Sequence, residues 1–198
     1  ALSETLDVTI YREGNIHHQT YSRGKATSEL EILGACPLDK TGTTITFLPD
    51  SEIFEETVYD FDILQKRLRE MAFLTKGLKI TLKDVRPDNE KEKIYHYEGG
   101  IKEFVQYINK SQTPLYNDIL YFEGEKNDVF VEVAMQHNDG YNEGIYTFEN
   151  NINTPEGGTH LEGFKRSLTR IFNDYARKNK LLKEKEDNLS GEDIREGL

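Results

Sequence analysis

The hydrophobic pattern changes period once along this chain. Through the first fifty residues apolar side chains alternate with polar ones, most clearly at Leu6, Val8 and Ile10. From Phe61 they fall at helical spacing, through Leu64, Leu68 and Met71. Period two puts successive side chains on opposite faces of a strand, whereas spacings of three and four line one helix face. A chain with this switch divides into a strand-only segment and a mixed one. The expected boundary lies between Asp50 and Tyr59, giving parts 1–54 and 55–198.

In the first part, Gly14-Asn15 supplies a hairpin turn and Ile16 to Tyr21 the returning strand. A loop with Gly34 and Pro37 leads to a third, β-branched strand, Thr43 to Leu48, ended by Pro49-Asp50. Three strands without a helix need a covering layer. In the second part, Asp60 is the expected cap of the first helix and Gly77 its C′ residue. Strands are expected at Leu78 to Leu82 and Ile94 to Tyr97. A short helix follows Gly99-Gly100, with Ile101, Phe104, Val105 and Ile108 on one face. A hairpin is expected about Gly124 to Asp128, joining Ile119–Phe122 to Val129–Met135. A further strand is expected at Ile145 to Phe148. Thr159-His-Leu-Glu162 reads as a capping box for a long helix with Leu161, Phe164, Leu168, Ile171 and Tyr175 on one face. From Lys180 to Leu189 the pattern suggests a loop or frayed extension. The fold class is α+β: antiparallel strands, then a domain with helices packed on one sheet.

Eleven Tyr and ten Phe in 198 residues argue against a disordered chain. No apolar run approaches a membrane span, and no signal-like start appears. The single Cys36 cannot form an internal disulfide, which fits a reducing compartment. The formal charge of -11 opposes tight, direct binding of nucleic acid. Positive charge nevertheless crowds one C-terminal stretch, from Lys165, Arg166 and Arg170 through Arg177, Lys178, Lys180, Lys183 and Lys185. This is either a solvated helix face or a positive surface near DNA. Both ends look cut: Ala1 is not an initiator Met, and Ser190-Gly-Glu-Asp193 opens a capped helix just before Leu198.

Three stretches could carry chemistry. Asn150-Asn-Ile-Asn-Thr-Pro-Glu-Gly-Gly-Thr-His160 combines residues that tolerate left-handed backbone with a helix start. It reads as a strand-to-helix turn or as an anion site at a helix N-terminus, and the turn is favoured. His160 is expected to be a structural hydrogen-bonding residue, since no second ligand supports a metal. Tyr97-Glu-Gly-Gly-Ile101 lacks the Lys-Ser/Thr of a phosphate loop. Lys40-Thr-Gly-Thr43 could line a polar pocket or form an ordinary turn. No acid pair has the spacing of general acid–base catalysis, so neither catalytic residues nor a metal site is expected.

Taken in order, several segments resemble one family. They are Ala1-Leu-Ser3, Lys40-Thr-Gly-Thr43, Arg67-Leu-Arg-Glu-Met-Ala-Phe-Leu74, Tyr97-Glu-Gly-Gly-Ile101, Val131-Glu-Val-Ala134, Asn150-Asn-Ile152, Glu156-Gly-Gly-Thr-His160, Gly163-Phe164 and Leu189-Ser-Gly-Glu-Asp-Ile-Arg-Glu-Gly-Leu198. Together they resemble the ATPase-bearing B proteins of bacterial type IIA DNA topoisomerases, DNA gyrase B and the ParE-type protein of topoisomerase IV. The resemblance implies that 1–54 is the end of a GHKL ATPase domain. It implies that 55–198 is a transducer domain with the fold of a ribosomal small-subunit protein, ending before the Gln-Thr-Lys loop that reaches the γ-phosphate. It places Gly42, Thr43 and Ile45 at nucleotide-pocket positions, Thr43 at the water-mediated adenine contact where aminocoumarins also bind. It places Lys165 at a basic position lining a DNA cavity, with Arg166 and Arg170 beside it.

The family's function is ATP-dependent DNA strand passage in the bacterial cytoplasm, at the nucleoid. Its cofactor is Mg-ATP. Its partners are the topoisomerase A subunit, duplex DNA held transiently, and a second copy of the B protein on ATP binding. The isolated chain is expected to bind no cofactor, to hydrolyse no ATP and to be monomeric. Other GHKL machines, of the mismatch-repair or chaperone type, lack the Glu-Gly-Gly-Thr-His and C-terminal segments. A free-standing nucleic-acid-binding module is opposed by the net charge.

Overall fold

Arg12 and Asn15 face each other across the two-residue turn Glu13-Gly14, both turn residues at positive φ (52° and 77°). Such a turn matches the right-handed twist of the strands that it joins. The turn is therefore Glu13-Gly14, one residue earlier than Gly14-Asn15. Asn15 is already paired in the second strand. The computed structural model describes residues 1–198, which form two units, Ala1–Asp60 and Phe61–Leu198.

The first unit is an antiparallel sheet. Its strands are β1 (Ser3–Arg12), β2 (Asn15–Ser22), β3 (Lys25–Ala26), β4 (Glu31–Ala35) and β5 (Gly42–Pro49). β1 lies between β2 and β5, and β2 pairs on its other side with β3 and β4. β4 corrects the loop reading of this region. Its register shifts between Ile16 and His17 of β2, so Gly34 pairs Ile16 while Ile32 pairs His17. That irregularity breaks the simple alternation. The sheet ends at Asp50, which is buried, forms an ion pair with Arg23 Nε at 2.7 Å, and caps the turn to Phe54.

The second unit contains α1 (Phe61–Leu74), β6 (Lys79–Asp84), β7 (Lys91–His96), α2 (Ile101–Ile108), β8 (Leu120–Lys126), β9 (Val129–Met135), β10 (Phe148–Glu149), β11 (Ile152–Asn153), α3 (Thr159–Lys178) and α4 (Gly191–Arg195). It is α+β. Its strands pair as three antiparallel ribbons, β6–β7, β8–β9 and β10–β11, where one sheet was expected. Gly77 lies beyond the C′ position: it is the third residue of a turn from Thr75 to Leu78, at φ 77°. The β8–β9 turn is Asn127-Asp128, both left-handed, and Gly124 sits within β8 opposite Val131. Strand structure near Ile145 begins only at Phe148, and Asn150-Asn151 make the next left-handed turn (φ 48° and 65°).

Aromatic packing fills this unit. Phe73 of α1 is buried and contacts the rings of Tyr97, Phe104 and Tyr107 at 3.6, 5.0 and 5.5 Å between centroids. Beyond α2, buried Asn109 donates to Gln136 Oε1 at 3.1 Å, and Gln136 donates to the Tyr116 carbonyl at 2.9 Å. Buried amides need such partners, and no buried side-chain nitrogen or oxygen lacks one.

α3 departs from expectation in two ways. Gly158 is its N-cap and no side chain caps it, so Thr159 is already helical and forms no capping box. Its buried face carries Leu168, Asn173 and Ala176, while Ile171 and Tyr175 are 57% and 63% exposed. Asn173 turns that face inward because its amide pairs the Leu189 backbone twice, at 2.8 and 2.9 Å. The segment after Lys180 is a loop, the first of the two expected alternatives, and it is tied down rather than frayed. Arg177 donates to the carbonyls of Lys183 and Glu186 and to Asn188 Oδ1. The expected capping box at Ser190–Asp193 is present and starts α4, whose Ile194 is buried. No helix is long and apolar enough to cross a membrane.

Candidate nucleotide wall and basic helix

The first candidate surface lies on β5. Alternation sends Thr43, Ile45 and Phe47 to one face and Gly42, Thr44 and Thr46 to the other. Register sets Thr43 opposite Ile10, Ile45 opposite Val8 and Phe47 opposite Leu6. Thr43 therefore supplies a hydroxyl at the end of an otherwise apolar stripe. Ile45 is 57% exposed, so this wall is open. A flat apolar wall ending in one hydroxyl suits the face and polar edge of a heteroaromatic ring. Gly42 does not join Thr43 and Ile45 on that face. Register puts it opposite Tyr11, over whose ring Lys40 Nζ lies at 3.8 Å. On the other face His18 Nε2 meets Asp7 Oδ2 at 2.7 Å.

The second candidate surface is α3. Arg166 and Arg170 are exposed and, four residues apart, share one stripe. Lys165 lies one residue further round, toward the packed side. Its Nζ pairs Glu143 Oε1 at 2.5 Å, and Arg195 Nε of α4 pairs the other oxygen, Oε2, at 2.6 Å. Burial raises the Glu143 pKa, but the hydrogen bonds from Lys165 and Arg195 outweigh it and hold the carboxyl below its ordinary range. The three basic residues are thus divided, two exposed to solvent and one in an ion-pair cluster. Sequence reading missed Glu143 and Arg195, which lie 22 and 30 residues from Lys165 with no local pattern linking them.

The glycine-rich stretches act as turns. Gly99 N–H donates to Glu103 Oε2 at 3.1 Å, so a carboxylate of the same chain occupies the start of α2. Gly157 is left-handed at φ 74°, and a Cβ there would meet Leu161 Cδ2 at 2.7 Å. His160 Nε2 lies 3.3 Å from Thr154 Oγ1, the structural contact expected of it. Cys36 is a free thiol whose Sγ lies 3.5 Å from the Asn15 carbonyl. A depression of about 370 Å³ is lined by Leu115, Asn138, Asp139, Gly140, Tyr141, Asp193 and Glu196. Its three acids would repel a polyanion. No group of three or more His, Cys, Asp or Glu side chains is placed to hold a metal ion. The residues present therefore fit one edge of a base and do not fit the phosphates or magnesium of Mg-ATP.

Residues 100–198, half of the chain, match the family model for DNA gyrase B. The chain is 54% identical over its whole length to the DNA gyrase B protein of Streptococcus pneumoniae, covering 30% of that protein. It is 56% identical to the DNA gyrase B protein of Clostridium acetobutylicum, covering 31%. The chain thus spans about a third of the length of these relatives. Among solved structures, the 43K ATPase domain of Thermus thermophilus gyrase B, in complex with an aminocoumarin, matches with a TM-score of 0.83 and 40% identity. That match covers 99% of this chain and 53% of the other. The topoisomerase IV ATP-binding domain of Francisella tularensis matches with a TM-score of 0.74 and 26% identity, covering 93% of this chain and 49% of that one. With this family match, and with relatives identical at more than half of its positions, the chain belongs to the DNA gyrase B family.

Proposed function

We propose that this chain is part of the ATPase component of a type IIA DNA topoisomerase, and that its second unit couples ATP binding and hydrolysis to DNA strand passage. The observation that carries this reading is the likeness over 99% of the chain to a gyrase B ATPase domain. In this reading 1–54 closes the GHKL ATPase domain and 55–198 is the transducer. Thr43 and Ile45 wall the adenine end of the Mg-ATP pocket, and Gly42 lets the strand start turn beside them. The phosphate and magnesium contacts belong to residues outside this chain. Arg166, Arg170 and, when released, Lys165 face a duplex in transit. The topoisomerase A subunit, a second copy of the B protein and duplex DNA are the partners, in the bacterial cytoplasm at the nucleoid.

The packing supports a lever rather than a catalyst. The second unit has a stacked aromatic core and satisfied buried amides, and a rigid body is what transmits a nucleotide-driven rotation. The test is ATP-dependent supercoiling by the full-length protein with its A partner. Lys165→Glu should lower strand passage and DNA-stimulated ATPase several-fold. Unchanged values for both would remove the DNA-facing role of α3. Failure of the wild-type pair to couple ATP to any topology change would remove the whole reading.

A further inference from the structure

Glu143 divides its carboxylate between two cations. Oε1 holds Lys165 Nζ and Oε2 holds Arg195 Nε. The cluster carries one negative and two positive charges, so it keeps a net positive charge toward an approaching anion. The two cations are not equivalent. Arg195 belongs to α4, which is pinned by the Ser190–Asp193 capping box and by buried Ile194. Its side chain is 14% exposed, against 23% for Lys165. Lysine is a compact charge on a flexible four-carbon stem, whereas a guanidinium in a fixed fork gives up its geometry less easily. Lys165 can therefore leave without orphaning the carboxylate, since Arg195 stays on the other oxygen. A phosphate offers the same acceptor chemistry as the carboxylate that it would replace. Part-exposed ion pairs are weak enough for such an exchange to lie near balance.

We propose that Glu143 sets the availability of Lys165 to DNA, holding the lysine on its carboxylate until a phosphate of the duplex takes its place. The proposal rests on the reading that α3 faces DNA. It makes Glu143 a positioning residue that acts through Lys165, and it makes the DNA contact conditional rather than permanent. The loop carrying Glu143 is itself tied down, because Gly144 N–H donates to the Leu198 carbonyl at 2.6 Å. Any motion of the C-terminal turn would therefore move the carboxylate away from, or toward, Lys165.

The experiment titrates a fluorescent duplex into the full-length protein at several salt concentrations. The proteins are wild type, Glu143→Gln, Lys165→Gln and the double variant. Glu143→Gln should bind DNA about two- to fivefold more tightly, having lost the competing carboxylate. Lys165→Gln should bind more weakly, with a salt dependence shallower by about one counterion. In the double variant the gain from Glu143→Gln should vanish. An equal gain with and without Lys165 would mean a general field effect and would overturn the proposal while leaving the DNA-facing reading intact. Unchanged binding and salt dependence in Lys165→Gln would overturn both. If Glu143→Gln fails to fold, Glu143→Asp replaces it. One methylene shorter, it cannot reach both cations, and it should show a smaller gain that again depends on Lys165.

Discussion

The ring of Phe73 lies flat on that of Tyr97, with 3.6 Å between centroids and 14° between planes. The pair joins the end of α1 to the segment that leads into α2. Phe104 of α2 also stacks against Phe73, at 5.0 Å. Phe73 is 1% exposed, so almost all of its surface is removed from water.

Phe73→Ala would leave a cavity bounded by three aromatic rings that cannot collapse into it. The expected cost is about 3–5 kcal/mol, combining the lost transfer energy with the void. Denaturant unfolding of the purified chain, read at constant slope, checks it. A loss below about 1 kcal/mol would mean that the rings do not form the core. Ile171→Ala, on the exposed side of α3, should cost far less.

Asp84 predicts an acid transition. Arg86 donates to both Asp84 oxygens through its side chain and adds its backbone N–H at 3.0 Å, while Asn89 contributes another bond at 3.2 Å. The Arg86 side-chain and backbone hydrogen bonds bring the carboxyl down to about 2, from an ordinary 3.8. A depressed folded pKa means that the unfolded chain binds the proton first. The stabilisation is present above about pH 4 and is lost as pH falls from about 4 to about 2. Asp84→Asn should flatten stability against pH in that window and lower stability at neutral pH. A wild-type slope that survives in Asp84→Asn would assign the transition to other carboxylates, of which Glu143 and Asp193 are also held low.

What was legible in the sequence was local. Leu6, Val8 and Ile10 announced β1 because period two needs only neighbours. Ser190 and Asp193 announced α4 because a capping box spans four residues. The errors came where distant residues decided. Asn173 looks like a surface residue by type, yet its amide completes the backbone of Leu189, and this rotates the buried face away from Ile171 and Tyr175. Thr159 has the right chemistry for a cap, but Gly157 and Gly158, at φ 74° and 154°, put the cap one residue before it. The wall of β5 was visible as a strand. The reading of that wall as a nucleotide pocket rests on ordered resemblance, since Thr-Gly-Thr alone fits an ordinary turn equally well. The carboxylate that holds Lys165 was invisible, because nothing in spacing links Glu143 to α3 or to Arg195.

Two glycines in the same unit predict opposite signs. Gly197 is left-handed at φ 74°, and a Cβ there would lie 2.4 Å from the Asn138 carbonyl oxygen and 2.8 Å from that of Gly140. Both obstacles are backbone, so neither can swing away. The Gly197 carbonyl also accepts the Asn138 N–H at 2.8 Å, so displacement would break that bond as well. Gly197→Ala should cost more than about 1 kcal/mol and should raise amide exchange across Asp193 to Leu198. Gly163 lies within α3, and a Cβ there would meet nothing within 4 Å. Gly163→Ala should stabilise by about 0.5–1 kcal/mol, since alanine is the better helix former and loses less backbone entropy. Thermal unfolding of the two variants beside wild type decides both. A stabilised Gly197→Ala would mean that the C-terminal turn is not docked on Asn138, and the anchoring of Glu143 near Lys165 would lose its support.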